Sequence, residues 1–173
     1  MTRAPGLLIA ALLALPAPPA LAQEDICRQI SWSVGHKLDL FADGFLPSVQ
    51  SSLALPKEGV FTLLLKSASD VIYPVAPDRG RDSGYGGIVT IESIPAGRYQ
   101  ILLSEEAWVD AVQHYRRLPV EGFSRAETCA GVRQSVQFEV AGEPMTLQVS
   151  GARVPKLNIA IARMWEFERR WKR

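Results

Sequence analysis

The sequence is short of the residues that build most reactive centres. Its two cysteines, Cys27 and Cys129, form no Cys-x-x-Cys, and its two histidines, His36 and His114, lie far apart with no His-x-His or His-Glu-x-x-His spacing. A zinc or iron centre therefore has no ligand set here, and no metal or other cofactor is expected. No serine sits in a Gly-x-Ser-x-Gly elbow, so Ser104, Asp110 and His114 make a triad only by selection. Without an EF-hand or nonapeptide pattern, Asp78 and Asp82 read as solvated loop carboxylates. An excess of one charge is also missing. Apart from Arg3, the chain carries eighteen basic and eighteen acidic side chains, which argues against a nucleic acid partner. After residue 22 no apolar run approaches the roughly 20 residues of a membrane span.

What is present begins with an export leader at residues 1–22. Arg3 supplies the positive end and residues 6–15 the apolar stretch. Ala20-Leu21-Ala22 gives the small-x-small cleavage site before Gln23. The expected product is periplasmic or secreted, and its 151 residues suit one domain. In an oxidising compartment an even cysteine count predicts one disulfide, Cys27 to Cys129. Closing a loop of about 100 residues contributes up to roughly 4–5 kcal/mol in the chain-entropy model.

The dominant periodicity is two. Alternating or apolar segments occur at residues 60–66, 71–75, 88–94, 98–104, 108–113, 135–140, 145–150 and 157–162. About eight short strands of this kind predict an all-β, antiparallel β-sandwich or jelly roll over residues 23–163. Pro74 and Pro77 confine 71–75 to an edge. Residues 27–41 fit either a helical stripe (Ile30, Val34, Leu38, Phe41) or a strand (Ile30, Trp32, Val34). The pattern strand, Ala-Gly, strand occurs twice, at Ala96-Gly97 and Ala141-Gly142, and reads as two hairpin turns more readily than as a duplication.

Candidate chemistry sits in the connections. Residues 76–87 (APDRGRDSGYGG) are Gly-rich, but a strand rather than a helix follows, so they lack the amides of a phosphate cradle. They present Tyr85 as a ligand contact beside the sandwich rim. Residues 104–115 hold Trp108, Asp110, His114 and Tyr115. On a strand, Trp108 and Asp110 share one face and Val109 and Ala111 the other, joining an aromatic platform to a carboxylate. That pairing suits stacking on a sugar ring as well as a core tryptophan beside a rim aspartate. The expected function is a non-enzymatic binding module for an envelope glycan or protein partner, with no catalytic residue. The alternative is a small exported hydrolase or metal-dependent enzyme using Asp110 and His114.

Composition changes abruptly in the tail, residues 164–173. Trp165 and Trp171 lie among basic residues that include Arg169 and Arg170, a composition suited to weak contact with an anionic surface or to folding back on the sandwich. Several runs carry a family likeness: Tyr73-Pro74-Val75-Ala76-Pro77, Pro95-Ala96-Gly97-Arg98-Tyr99, Ala107-Trp108-Val109-Asp110, Cys129-Ala130-Gly131-Val132-Arg133 and Thr146-Leu147-Gln148-Val149-Ser150-Gly151. With them the chain resembles a group of small exported proteobacterial proteins of unknown function. Some members carry the automatic label homogentisate 1,2-dioxygenase. That enzyme is a larger cytosolic cupin needing two histidines and a glutamate on iron, and this chain has two histidines in all. The resemblance therefore implies an exported protein and carries over no catalytic residue.

Overall fold

A computed structural model describes residue 41 and residues 45–129 and 131–164. The leader, Cys27, His36 and the tail residues Trp165, Arg169, Arg170 and Trp171 lie outside the described residues, and so does the Cys27–Cys129 pairing. The alternating segments become strands because period two sends every second side chain to the same face. In chain order these are β1 (Ser48–Gln50), β2 (Leu53–Lys57), β3 (Val60–Leu64), β4 (Lys66–Ser67), β5 (Tyr85–Ser93), β6 (Gly97–Leu103), β7 (Trp108–Gln113), β8 (Arg116–Arg117), β9 (Val120–Cys129), β10 (Val132–Val140), β11 (Met145–Ala152) and β12 (Lys156–Arg163).

The strands form an all-β sandwich of two sheets. The first runs β1-β3-β12-β6-β10-β9 and the second β2-β5-β11-β7-β8, with β4 added to β5. Both sheets are mixed, since β1 runs parallel to β3 and β2 parallel to β5, while the inner pairs are antiparallel. Between the sheets lie Tyr99, Phe138, Leu63, Ile91, Ile101, Met145, Leu147 and Ile161, all fully buried. Each such side chain contributes roughly 1.5–3 kcal/mol on leaving water. Among the described residues no helix is long and apolar enough to cross a membrane.

The two Ala-Gly segments correct the sequence reading, because neither is a hairpin. Ala96-Gly97 carries the chain from β5 in the second sheet to β6 in the first, and Ala141-Gly142 carries it from β10 in the first to β11 in the second. Two three-strand arches result, β5-β6-β7 and β10-β11-β12, and they interlock. The middle strand of each lies between the outer strands of the other, β6 between β10 and β12, β11 between β5 and β7. Each arch completes the sheets of its counterpart, so neither buries its apolar faces alone.

Residues 71–75 are a second correction, since they join no sheet and instead cross the outer face of the second sheet as an extended strap. Three buried glutamines explain how the connections hold their course. Gln113 pairs with both backbone groups of Ala141 at 3.0 Å each, Gln134 with both of Ala107 at 3.4 and 2.8 Å, and Gln148 with both of Val75 at 3.3 and 3.1 Å. A carboxamide has one donor side and one acceptor side, so it substitutes for a neighbouring strand. The first two clamp the arch connections and the third clamps the strap.

Candidate functional site

The two outer faces of the sandwich differ. On the first sheet, Leu102, Ala160 and Ala162 are buried although they point away from Ile101 and Ile161. On the second sheet the outward positions of β5, β11 and β7 form rows set by register. Ser150 stands opposite Trp108, Gln148 opposite both Ile88 and Asp110, and Thr146 opposite both Thr90 and Val112. The strap covers the first two rows except at Ile88 and leaves the third open.

Four side chains pin the strap and its continuation through residues 76–79 by the backbone. Besides the Gln148 clamp, Asp78 N–H donates to Asp110 Oδ2 at 3.1 Å, Ser150 Oγ donates to Arg79 O at 2.7 Å, and Arg117 donates to Ala76 O at 3.3 Å. The strap contributes a pin of its own, with the Tyr73 hydroxyl donating to Val149 O at 3.0 Å. Tyr73 reaches that carbonyl over Gly86, where any Cβ would collide with the hydroxyl. Burial pushes the Asp110 carboxyl above the usual carboxylate range; the Asp78 amide and the Arg117 guanidinium oppose this, and the Asp78 carboxylate adds to it. Burial, reinforced by the Asp110 charge, likewise raises the Tyr73 phenol.

Trp108 and Asp110 do share the outward face of β7, with Val109 and Ala111 inward. The strap, however, claims both. Asp110 is buried beneath it, and Arg79 lies 4.9 Å from the Trp108 ring centroid, leaving the indole 39% exposed. Tyr85 is elsewhere, packed against the core from the inner face of the second sheet. His114 and Tyr115 form the two-residue turn between β7 and β8, with φ of 51° and 56°. Asp110 lies within β7 and His114 in the turn beyond its end, four residues on, a span of up to about 13 Å. His114 Nε2 pairs with the Glu143 carboxylate, and Ser104 accepts the Asn158 amide, so no triad assembles. Among the described residues no three His, Cys, Asp or Glu side chains converge on a metal position.

Beyond the strap the third row opens into a groove of about 440 Å³. Ile72 and Pro74 of the strap form one wall, His114, Tyr115 and Pro144 the other, with Ile88, Thr90, Val112 and Thr146 on the floor. The Thr90 and Thr146 hydroxyls lie 3.1 Å apart. Two large apolar residues stand at the rim almost fully in solvent, Ile72 at 89% and Tyr115 at 84%. A larger and more charged cleft of about 760 Å³ flanks the same turn, lined in part by Arg116, Arg117 and Glu139. Ile72, Pro74, Thr90 and Thr146 were not legible as site residues. Alternation marks the two threonines as outward, but only the β5–β11 register brings them together.

Comparison with protein-family models, with curated proteins and with solved structures found no match.

Proposed function

We propose that this chain is an exported, non-enzymatic binding module that takes an envelope ligand, a glycan or a protein partner, in the outer-face groove beside the β7–β8 turn. The observation that carries the reading is Tyr115. A large aromatic ring 84% exposed on a left-handed residue of a two-residue turn is costly to keep and well placed to touch a ligand. The groove volume falls within the range of small-molecule sites, and its floor belongs to a sheet paired on both sides, which keeps it pre-formed. The engagement of Asp110 by the strap and of His114 by Glu143 supports binding over catalysis, since neither group is poised for a shared substrate. Export also implies that Cys27 and Cys129 are oxidised to one bridge, read as no titratable thiol in protein recovered from the envelope.

The test is capture from envelope extracts and on glycan arrays, comparing wild type with Tyr115→Ala. Selective capture lost in the variant supports the reading. Turnover on a broad substrate panel that Asp110→Asn abolishes, or a stoichiometric bound metal, overturns it in favour of an exported enzyme.

A further inference from the structure

The geometry points to an uncharged saccharide as the ligand of the outer-face groove, its ring stacked on Tyr115 and its hydroxyls met by Thr90 and Thr146. This rests on the groove being the binding site proposed above and adds the chemical class. Aspartate, glutamate, lysine and arginine make up 21% of the chain, yet none lines the groove, while the neighbouring cleft at the same turn holds Arg116, Arg117 and Glu139. Apart from His114, which Glu143 already engages, a phosphorylated, sulfated or uronate ligand would find no cationic group in the lining, and an ammonium no carboxylate. A charged ligand would gain no oppositely charged partner from Asp, Glu, Lys or Arg in this lining, which favours a neutral one.

The ladder groups of β11 are taken by β5 and β7, so the floor offers no free backbone strand edge for an extended peptide. It presents side chains instead. Ile72, Pro74 and Val112 give apolar surface, Tyr115 gives an aromatic face, and the threonines give hydroxyls. One threonine hydroxyl donates to the other, which leaves the pair one O–H hydrogen and free lone pairs for a ligand that both donates and accepts. A pyranose ring matches this mixture, with C–H bonds on its faces and hydroxyls around its edge.

A two-residue hairpin turn with positive φ at both positions favours Asn-Gly; here His114-Tyr115 occupies it with two Cβ atoms against the preference. The His114–Glu143 pair ties the turn to the β10–β11 arch, which holds the backbone of Tyr115 at the rim.

The experiment is calorimetric titration of the full exported chain with neutral hexose and N-acetylhexosamine oligosaccharides, and with polygalacturonate as the anionic control. A neutral oligosaccharide is expected to bind. Tyr115→Ala should weaken it at least tenfold, Tyr115→Phe less than threefold, and Thr90→Val with Thr146→Val severalfold, all with unchanged melting temperature. Binding of polygalacturonate alone, or neutral binding indifferent to Tyr115→Ala, overturns the assignment. Absence of any saccharide binding together with Tyr115-dependent capture of an envelope protein overturns the saccharide class and leaves the binding module standing. Absence of both defeats the two together.

Discussion

Gln148 meets Val75 as a strand residue would, its Nε2 donating to Val75 O at 3.1 Å and its Oε1 accepting Val75 N–H at 3.3 Å. The side chain is almost wholly buried, so its loss leaves two backbone groups of the strap without partners. Gln148→Leu is expected to destabilise the protein by about 2–3 kcal/mol, the scale of leaving buried polar groups unpaired. Equilibrium urea unfolding reads that loss. Because the strap supplies Ile72 and Pro74 to the groove, ligand capture should fall as well.

That clamp also explains what the sequence conceals. Residues 71–75 alternate between inward and outward positions as a strand does, but their partner is a carboxamide 73 residues away, which periodicity cannot reveal. By contrast β7 begins and ends where alternation places it, because Val109 and Ala111 face a core on one side only. β9 went unread for the opposite reason. Val120 and Phe123 are exposed at the sheet edge, and residues 120–125 bury little on either face, which leaves no apolar signature there. The Ala-Gly segments misled because turn chemistry is local, and a glycine serves a hairpin or a sheet-crossing arch equally well. The Trp108–Asp110 pairing on one face was legible, whereas its occlusion by the strap required the Asp78–Asp110 bond.

Asp110 makes stability depend on pH in the unusual direction for a carboxylate. Its native pKa is raised, so the folded state holds the proton more tightly than the unfolded state does. From the ordinary carboxylate value near about 4 up to the raised native value, stability should fall as pH rises. The Asp110→Asn protein keeps an oxygen for the Asp78 amide and has no proton to lose. Thermal melts from pH 4 to 7 should show wild type losing stability relative to this variant, and parallel curves would contradict the assignment.

Gly80 and Gly151 approach each other beneath the edge of Trp108. A Cβ at Gly80 would lie 2.6 Å from Trp108 Cδ1 and 2.9 Å from Gly151 Cα, at a φ of 69°. Gly80→Ala is expected to cost about 2–3 kcal/mol through overpacking and left-handed strain. It should also move Arg79 off the indole and change tryptophan emission, both absent in Arg81→Ala.

Tyr115 carries backbone strain at φ 56° while burying little of its ring. Tyr115→Gly relieves the left-handed penalty and should raise stability by about 1 kcal/mol, a gain of roughly 2–4 °C in melting temperature. The same change should remove ligand capture. A variant at once more stable and inactive in binding would mark the residue as kept for contact rather than for folding.

The most direct test of the account is a backbone amide shift map of the labelled protein titrated with a neutral oligosaccharide. Saturable shifts are expected only at the groove, at Ile72, Ile88, Thr90, Val112, His114, Tyr115 and Thr146. Shifts centred instead on Trp108, Arg79 and Asp78, or no saturable shifts at all, would contradict it.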